Sequence, residues 1–289
     1  MNPPDPLVES TIGLAPGLYI VATPIGNLGD LSPRAAATLA QAAVIAAEDT
    51  RVTAKLLHHI GVRVPMLAYH DHSDDGVRRG LIARALVEPV ALTSDAGTPL
   101  ISDPGFKLVR DARAAGVNIV TLPGPCAAIA ALTLSGLPTD RFLFAGFLPA
   151  KAGARATAIA ELAGVRTTLV LYESGPRLAV ALAALAAGLG NRDAAVAREI
   201  SKRFEECVTG TLSGLAARYA ETAPRGEIVI TIAPPGDTPP ADAATLDAAL
   251  RAALSSASLK SAVADVSTAL GLPRSEVYAR ALALKHNGN

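Results

Sequence analysis

The chain has 289 residues, half of them apolar, and 26 Lys and Arg balance 26 Asp and Glu. It therefore exceeds one ordinary domain and lacks the global positive field of a protein that coats nucleic acid. Cys126 and Cys207 have no metal-ligand spacing, and the first cationic side chain is Arg34. That leaves no charged leader segment, and no apolar run approaches the roughly 18 residues of a membrane span. The expectation is a cytoplasmic protein with reduced thiols and no membrane segment.

Residues 1–16, rich in Pro and polar side chains, are expected to be a disordered lead-in. Short apolar, β-branched runs then predict strands at 18–22, 44–47, 65–69, 90–93 and 117–122. Helical patterns at 34–43, 53–60, 77–86 and 106–115 alternate with them. Ser32 followed by Pro33 reads as a helix start. This alternation is that of an open, mostly parallel sheet covered by helices, here assigned to residues 17–125. An Ala-rich helix at 127–137 opens a second α/β domain, 126–235, with a mixed sheet. Its strands are expected at 142–147, 167–172, 194–200, 205–211 and 227–232, with helices at 177–189 and 212–221.

The stretch 233–244 carries four prolines and a glycine, which no helix holds, and the linker is placed at 236–244. Beyond it, at 245–287, the apolar spacing turns helical. Leu246, Leu250 and Leu254 share a face, as do Leu259, Val263, Val266 and Leu270. Gly271, Leu272 and Pro273 form a tight turn, which gives a helix-turn-helix module. From Arg251 onward, five Lys and Arg (Arg251, Lys260, Arg274, Arg280, Lys285) face two acids, Asp265 and Glu276. This local basic excess points to nucleic acid; the alternative is a packing or dimerisation module.

The loop at 94–105, S-D-A-G-T-P-L-I-S-D-P-G, follows an apolar, β-branched run at 90–93 that reads as a buried strand. Ligands in open α/β sheets lie where such loops leave the carboxyl ends of strands. Gly97 and Gly105 permit positive φ and close backbone approach, and Asp95 and Asp103 put carboxylates at the loop's edge. The sequence has no G-x-x-x-x-G-K-[ST], no G-x-G-x-x-G and no G-x-S-x-G, so triphosphate hydrolysis, the usual dinucleotide site and the hydrolase elbow lack support. His70 and His72 flank Asp71 without a third or fourth ligand nearby. That favours a polar loop lining a substrate over a metal site.

Four loops in order carry a resemblance: T-P-I-G-N-L-G-D (23–30), A-E-D-T-R (47–51), S-D-A-G-T-P-L-I-S-D-P-G (94–105) and P-G-P-C-A-A (123–128). The match continues through F-L-F-A-G-F-L-P (142–149), Y-E-S-G-P-R (172–177), A-R-E-I-S-K (197–202), G-E-I-V-I (226–230) and G-L-P-R-S-E-V-Y-A-R-A-L (271–282). Together they resemble the tetrapyrrole-methylase family, and within it the branch that 2′-O-methylates a cytidine of small-subunit ribosomal RNA. The resemblance implies two α/β domains with a cleft between them, plus the C-terminal helix-turn-helix module. It implies S-adenosyl-L-methionine in that cleft, held by Pro24, Asp95, Ala96, Gly97, Cys126, Ala127 and Tyr172. It also implies a homodimer acting on small-subunit ribosomal RNA or an assembled 30S subunit.

The activated methyl group comes with the cofactor, so the protein must align and desolvate. A 2′-hydroxyl is a poor nucleophile, so a nearby base should help. Glu48, Asp49 and His70, at predicted strand ends, are the candidates, and the competing role for the acids is helix capping or a salt bridge to Arg51. Arg51, Lys151, Arg177 and Lys202 are candidates for RNA phosphates. Two rivals remain: a methylase of a tetrapyrrole or corrin precursor, and a non-catalytic RNA-binding module. The basic appendage and the H-D-H and A-E-D-T-R loops favour RNA.

Overall fold

Apolar residues alternate between the two faces of each early strand, and this periodicity builds a three-layer half. The computed structural model describes residues 13–71, 73–236, 243–255, 257–270 and 272–286. Strands β1 (Gly17–Val21), β2 (Val44–Ala47), β3 (Met66–Ala68), β4 (Pro89–Thr93) and β5 (Ile119–Leu122) form one sheet in the order β3-β2-β4-β1-β5. Every pairing in it is parallel. Leu18, Val44, Ala46 and Leu92 enter one core, and their neighbours Tyr19, Ile45, Ala47 and Ala91 enter the other.

Helices α1 (Pro33–Gln41) and α2 (Thr50–His59) cover the second of these faces through Leu39, Leu56 and Leu57. Helices α3 (Asp75–Ala85) and α4 (Phe106–Ala114) cover the first through Leu81 and Leu108. The expected start of α1 is present: Ser32 Oγ accepts from Ala35 N at 3.1 Å, with Pro33 in the first turn. Adjacent parallel strands β1 and β4 thus send their chains to opposite faces. That divergence is a topological switch point, where a crevice opens beyond the strand ends.

The second sheet is mixed, as expected. It orders β6 (Phe142–Phe147), β7 (Thr168–Ser174), β8 (Asp193–Arg198), β9 (Glu206–Thr211) and β10 (Glu227–Ile232) as β6-β7-β10-β8-β9. Only β6 and β7 run parallel. Helices α6 (Ala152–Ala163), α7 (Gly175–Leu189) and α8 (Leu212–Glu221) lie over one face around Leu171, Leu182, Leu215 and Ile230. Helix α5 (Ala127–Leu134) lies on the other face, against Val170, Ala197 and Val229. Ile25, from the loop after β1, joins that seam.

Some boundaries differ from the sequence pattern. Strand β7 runs on past Tyr172 to Ser174, so Glu173 and Ser174 are strand residues rather than a loop. Helix α5 stops at Leu134, where Ser135 Oγ turns back to Leu132 O at 2.8 Å and Gly136 takes φ +70°. Most of the predicted lead-in, residues 1–12, lies outside the described residues, as do 237–242 of the predicted linker and His72.

The chain divides into two compact units, one ending at Pro234 and one beginning at Pro235. The second contains α9 (Ala243–Leu254), α10 (Leu259–Leu270) and α11 (Arg274–His286). They share a core of Leu246, Leu250, Val263, Val266, Leu272, Val277 and Ala281. Among the described residues, no helix is long and apolar enough to cross a membrane.

Candidate active site

The loops after β1, β4 and β5 meet beyond the switch point and are fastened to one another. Thr23 N donates to Gly97 O at 2.8 Å, and Gly97 N returns the bond to Thr23 O at 3.0 Å. Thr98 Oγ1 donates to Pro125 O at 2.9 Å. Gly97 is held at φ +83°. A Cβ there would meet nothing closer than 3.4 Å, so the requirement for glycine is conformational rather than steric. Leu100 (φ 75°) and Ser102 (φ 64°) occupy the same left-handed region without glycine's freedom. Such strain persists where surrounding structure imposes it, and it gathers at ligand sites.

A cavity of about 300 Å³ opens at this junction. The first sheet's loops contribute Ala96, Gly97, Thr98 and Asp103, and α5 contributes Cys126 and Ala127. The second sheet contributes Tyr172, Glu173, Ile228 and Val229. Five of the seven residues expected to hold a cofactor therefore line one space: Ala96, Gly97, Cys126, Ala127 and Tyr172. The other two, Pro24 and Asp95, line a neighbouring depression with Ser94 and Thr53. Tyr172 packs edge-on against Phe144 and Phe147, at ring-centre distances of 4.9 and 5.6 Å. Its hydroxyl oxygen accepts from Ala128 N at 3.2 Å, and burial pushes its pKa above the usual phenol range.

Glu173 is 2 % exposed and sits in the cavity wall. Its Oε1 accepts from Ser174 N at 2.8 Å. Its Oε2 has no hydrogen-bond partner among the described residues, although Arg177 Nη2 lies 3.3 Å away. Arg177 therefore supplies the counter-charge of this buried carboxylate in the cavity wall.

The three expected bases have different surroundings. Glu48 Oε2 accepts from Asp95 N at 3.2 Å, while Asp95 Oδ1 accepts from Asp49 N at 2.9 Å. This reciprocal pair locks the β2 and β4 loops together. Asp49 caps α2 through Arg51 N at 2.8 Å and pairs with the Arg51 side chain at 2.6 Å. Those Arg51 contacts hold its pKa near 2, so its carboxylate is a poor proton acceptor. His70 lines an open groove with Ser73, Ser102, Asp103 and Pro104. Asp71 ties that loop down, accepting from Gly105 N at 3.0 Å.

Asp103 borders both the cavity and the His70 groove. Burial pushes its pKa up to about 6; the Ser94 hydroxyl opposes the shift, and Glu48, Asp95 and Glu227 reinforce it. The sequence reading placed this acid on the loop but not among the bases. The signal was available: a second carboxylate in a Pro- and Gly-stiffened loop at a strand end.

The four expected phosphate contacts are dispersed. Arg177 donates to Leu148 O at 2.5 Å beside Glu173. Lys202 pairs with Glu199 at 3.0 Å and with Glu227, which lines the cavity, at 3.6 Å. Its stem lies over Gly26, where a Cβ would come within 2.3 Å of it. Arg51 is 87 % exposed, and Lys151 is exposed at the start of α6. Among the described residues, no group of three or more His, Cys, Asp or Glu could hold a metal ion.

A family model for tetrapyrrole (corrin/porphyrin) methylases matches residues 17–216. The chain belongs to this family. A second model, the RsmI C-terminal HTH domain, matches residues 240–285 of this family member. Its similarity to a ribosomal RNA small subunit methyltransferase I from Erythrobacter litoralis is 52 % identity over 94 % of the chain and 96 % of the relative. A protein of that same name from Xylella fastidiosa is 47 % identical over 90 % of the chain and 97 % of the relative. Among solved structures, uroporphyrin-III C-methyltransferase from Thermus thermophilus, complexed with S-adenosylhomocysteine, shares the fold. It has a TM-score of 0.51 and 24 % identity over 74 % of this tetrapyrrole methylase and 96 % of that chain.

Proposed function

We propose that this enzyme transfers a methyl group from S-adenosylmethionine to a ribose 2′-hydroxyl, that of a cytidine in small-subunit ribosomal RNA. The observation that carries the reading is one cavity walled by both sheets, largely apolar, with the carboxylates of Asp103, Glu173 and Glu227 in its lining. The names of the relatives and the ligand of the Thermus methyltransferase agree with it.

Bound in this cavity, S-adenosylmethionine supplies a methyl group already activated on a sulfonium. Ala96, Gly97 and Ala127 offer backbone groups at close range because their side chains are small or absent. Ile25, Ile228 and Val229 keep water from the reacting centre. Glu173, held by Arg177, would give the cavity wall a negative charge complementary to the cationic sulfonium. Of the acids around the cavity, Asp103 combines three properties of a proton acceptor. It stands where the cavity meets the polar groove, it accepts at near-neutral pH, and the Glu48–Asp95 pair stiffens its surroundings. His70 shares that groove and suits the approach of the ribose. Arg51 and Lys151 suit backbone phosphates, being exposed, while Arg177 and Lys202 hold the wall carboxylates in place.

The reading includes a cytoplasmic homodimer, which sedimentation checks. Its central test is transfer of tritiated methyl from S-adenosylmethionine to small ribosomal subunits and to naked RNA, followed by nucleoside analysis. Label at a cytidine ribose is expected. Label in a porphyrinoid, with none in RNA, overturns the substrate.

A further inference from the structure

The second compact unit sorts its positive charge unevenly. Asp247, on α9, takes Arg280 in a two-bond pair at 2.6 and 2.8 Å, and Arg251 lies 3.9 Å from it. Those two cations are therefore spent on one acid. Lys260 on α10 and Arg274 on α11 have no acidic partner among the described residues. Both line the same notch, a concavity of about 380 Å³. Its floor is Val263, buried in the three-helix core, and its remaining wall is Ser275 and Tyr278. Tyr278 is 48 % exposed, although α11 buries Val277 and Ala281 nearby. The acids Asp265 and Glu276 do not line the notch.

An exposed aromatic ring lining the same notch as two unneutralised cations is the combination that holds single-stranded nucleic acid. The ring stacks a base, and the cations take the phosphate beside it. A protein partner would be expected to bring acids to a broader apolar face, whereas this notch has the size of one nucleotide. We infer that the notch of Lys260, Val263, Arg274, Ser275 and Tyr278 binds one unstacked RNA nucleotide, the base on Tyr278 and its phosphate between Lys260 and Arg274. The assignment rests on the reading of the chain as an RNA methyltransferase, and it gives the C-terminal unit a recognition role separate from the chemistry.

The test uses the full chain and a fluorescent single-stranded RNA oligonucleotide, titrated over a range of salt concentrations. K260A/R274A should weaken binding at least tenfold and lower the salt slope by about one. Y278A should weaken it about tenfold with the slope unchanged, and Y278F should bind like the parent. All three variants should keep the parent's affinity for S-adenosylmethionine and its kcat at saturating RNA, with KM raised for the first two. Parent-like RNA affinity in both K260A/R274A and Y278A overturns the site, and a Y278F as weak as Y278A overturns the stacking. Should the parent chain transfer methyl to RNA while these variants leave KM unmoved, only this inference falls. A parent chain that methylates no RNA at all defeats the function reading instead.

Discussion

The two walls of the cavity are built by different means. The wall from the parallel sheet is loop: Ala96, Gly97, Thr98 and Asp103 reach the cavity from the carboxyl end of β4, on a loop with positive φ at Gly97, Leu100 and Ser102. The wall from the mixed sheet is mainly strand: Tyr172 and Glu173 on β7, and Ile228 and Val229 on β10, stand on paired extended chain. A loop wall can bring main-chain groups and carboxylates close to a ligand, at the cost of strain. A strand wall offers fixed side chains and apolar area without strain. On the proposed reading the division of labour is backbone recognition and proton transfer on one side, packing and charge complementarity on the other.

The harshest challenge to this contrast is Gly97→Val. A β-branched side chain at φ +83° costs about 1–3 kcal/mol even where space exists. Titration calorimetry should find no binding of S-adenosylmethionine while the far-UV circular dichroism stays native. Retained affinity would show that the loop wall does not contact the cofactor.

Asp103→Asn comes next. Methyl transfer should fall roughly a hundredfold or more at saturating substrates, with cofactor affinity within about threefold of the parent. In the parent, the rate should drop as pH falls through about 6, because protonation removes the acceptor; the Asn variant should lose that arm. Stability should move the other way. A carboxyl whose folded pKa is raised binds its proton more tightly when folded, so its penalty is complete above the folded pKa and absent below the unfolded one. Allowing for partial solvent screening, the Asn variant should gain about 1 kcal/mol near pH 7.5 and nothing near pH 3 in urea denaturation.

The strand wall should be more forgiving. Tyr172→Phe strips the acceptor from Ala128 N but keeps the ring against Phe144 and Phe147. A loss of about 1 kcal/mol in urea denaturation is expected, with cofactor affinity lowered severalfold. A loss as severe as that of Gly97→Val would erase the distinction between the walls. The mildest change is Asp49→Asn, since Asn also caps helices. Its kcat should stay within about threefold of the parent. Because the Asp49 pKa is lowered to about 2, its contribution is present above pH 4 and lost as pH falls toward 2. The variant should show a shallower loss of stability across that window.

The same contrast explains what the sequence disclosed. Loops announced themselves, since Gly, Pro and Asp break an apolar run abruptly; that Ala96, Gly97, Cys126 and Ala127 hold a cofactor is what the family resemblance implies, and the structure places them along one cavity. The parallel and mixed sheets were legible from the spacing of β-branched runs. Glu173, Ile228 and Val229 were not, because nothing in T-L-V-L-Y-E-S or E-I-V-I-T-I says which face of a strand meets a ligand. That depends on α5 crossing from the first sheet to the second, a long-range choice that local spacing does not encode. Asp49 illustrates the opposite error. An acid two residues before Arg51 at a helix start satisfies its neighbours first, leaving little basicity for chemistry.

The paired amides of Thr23 and Gly97 should be shielded from solvent exchange. Two reciprocal bonds rivet the ends of β1 and β4 together, so both protons should exchange slowly with deuterated solvent although they belong to loops.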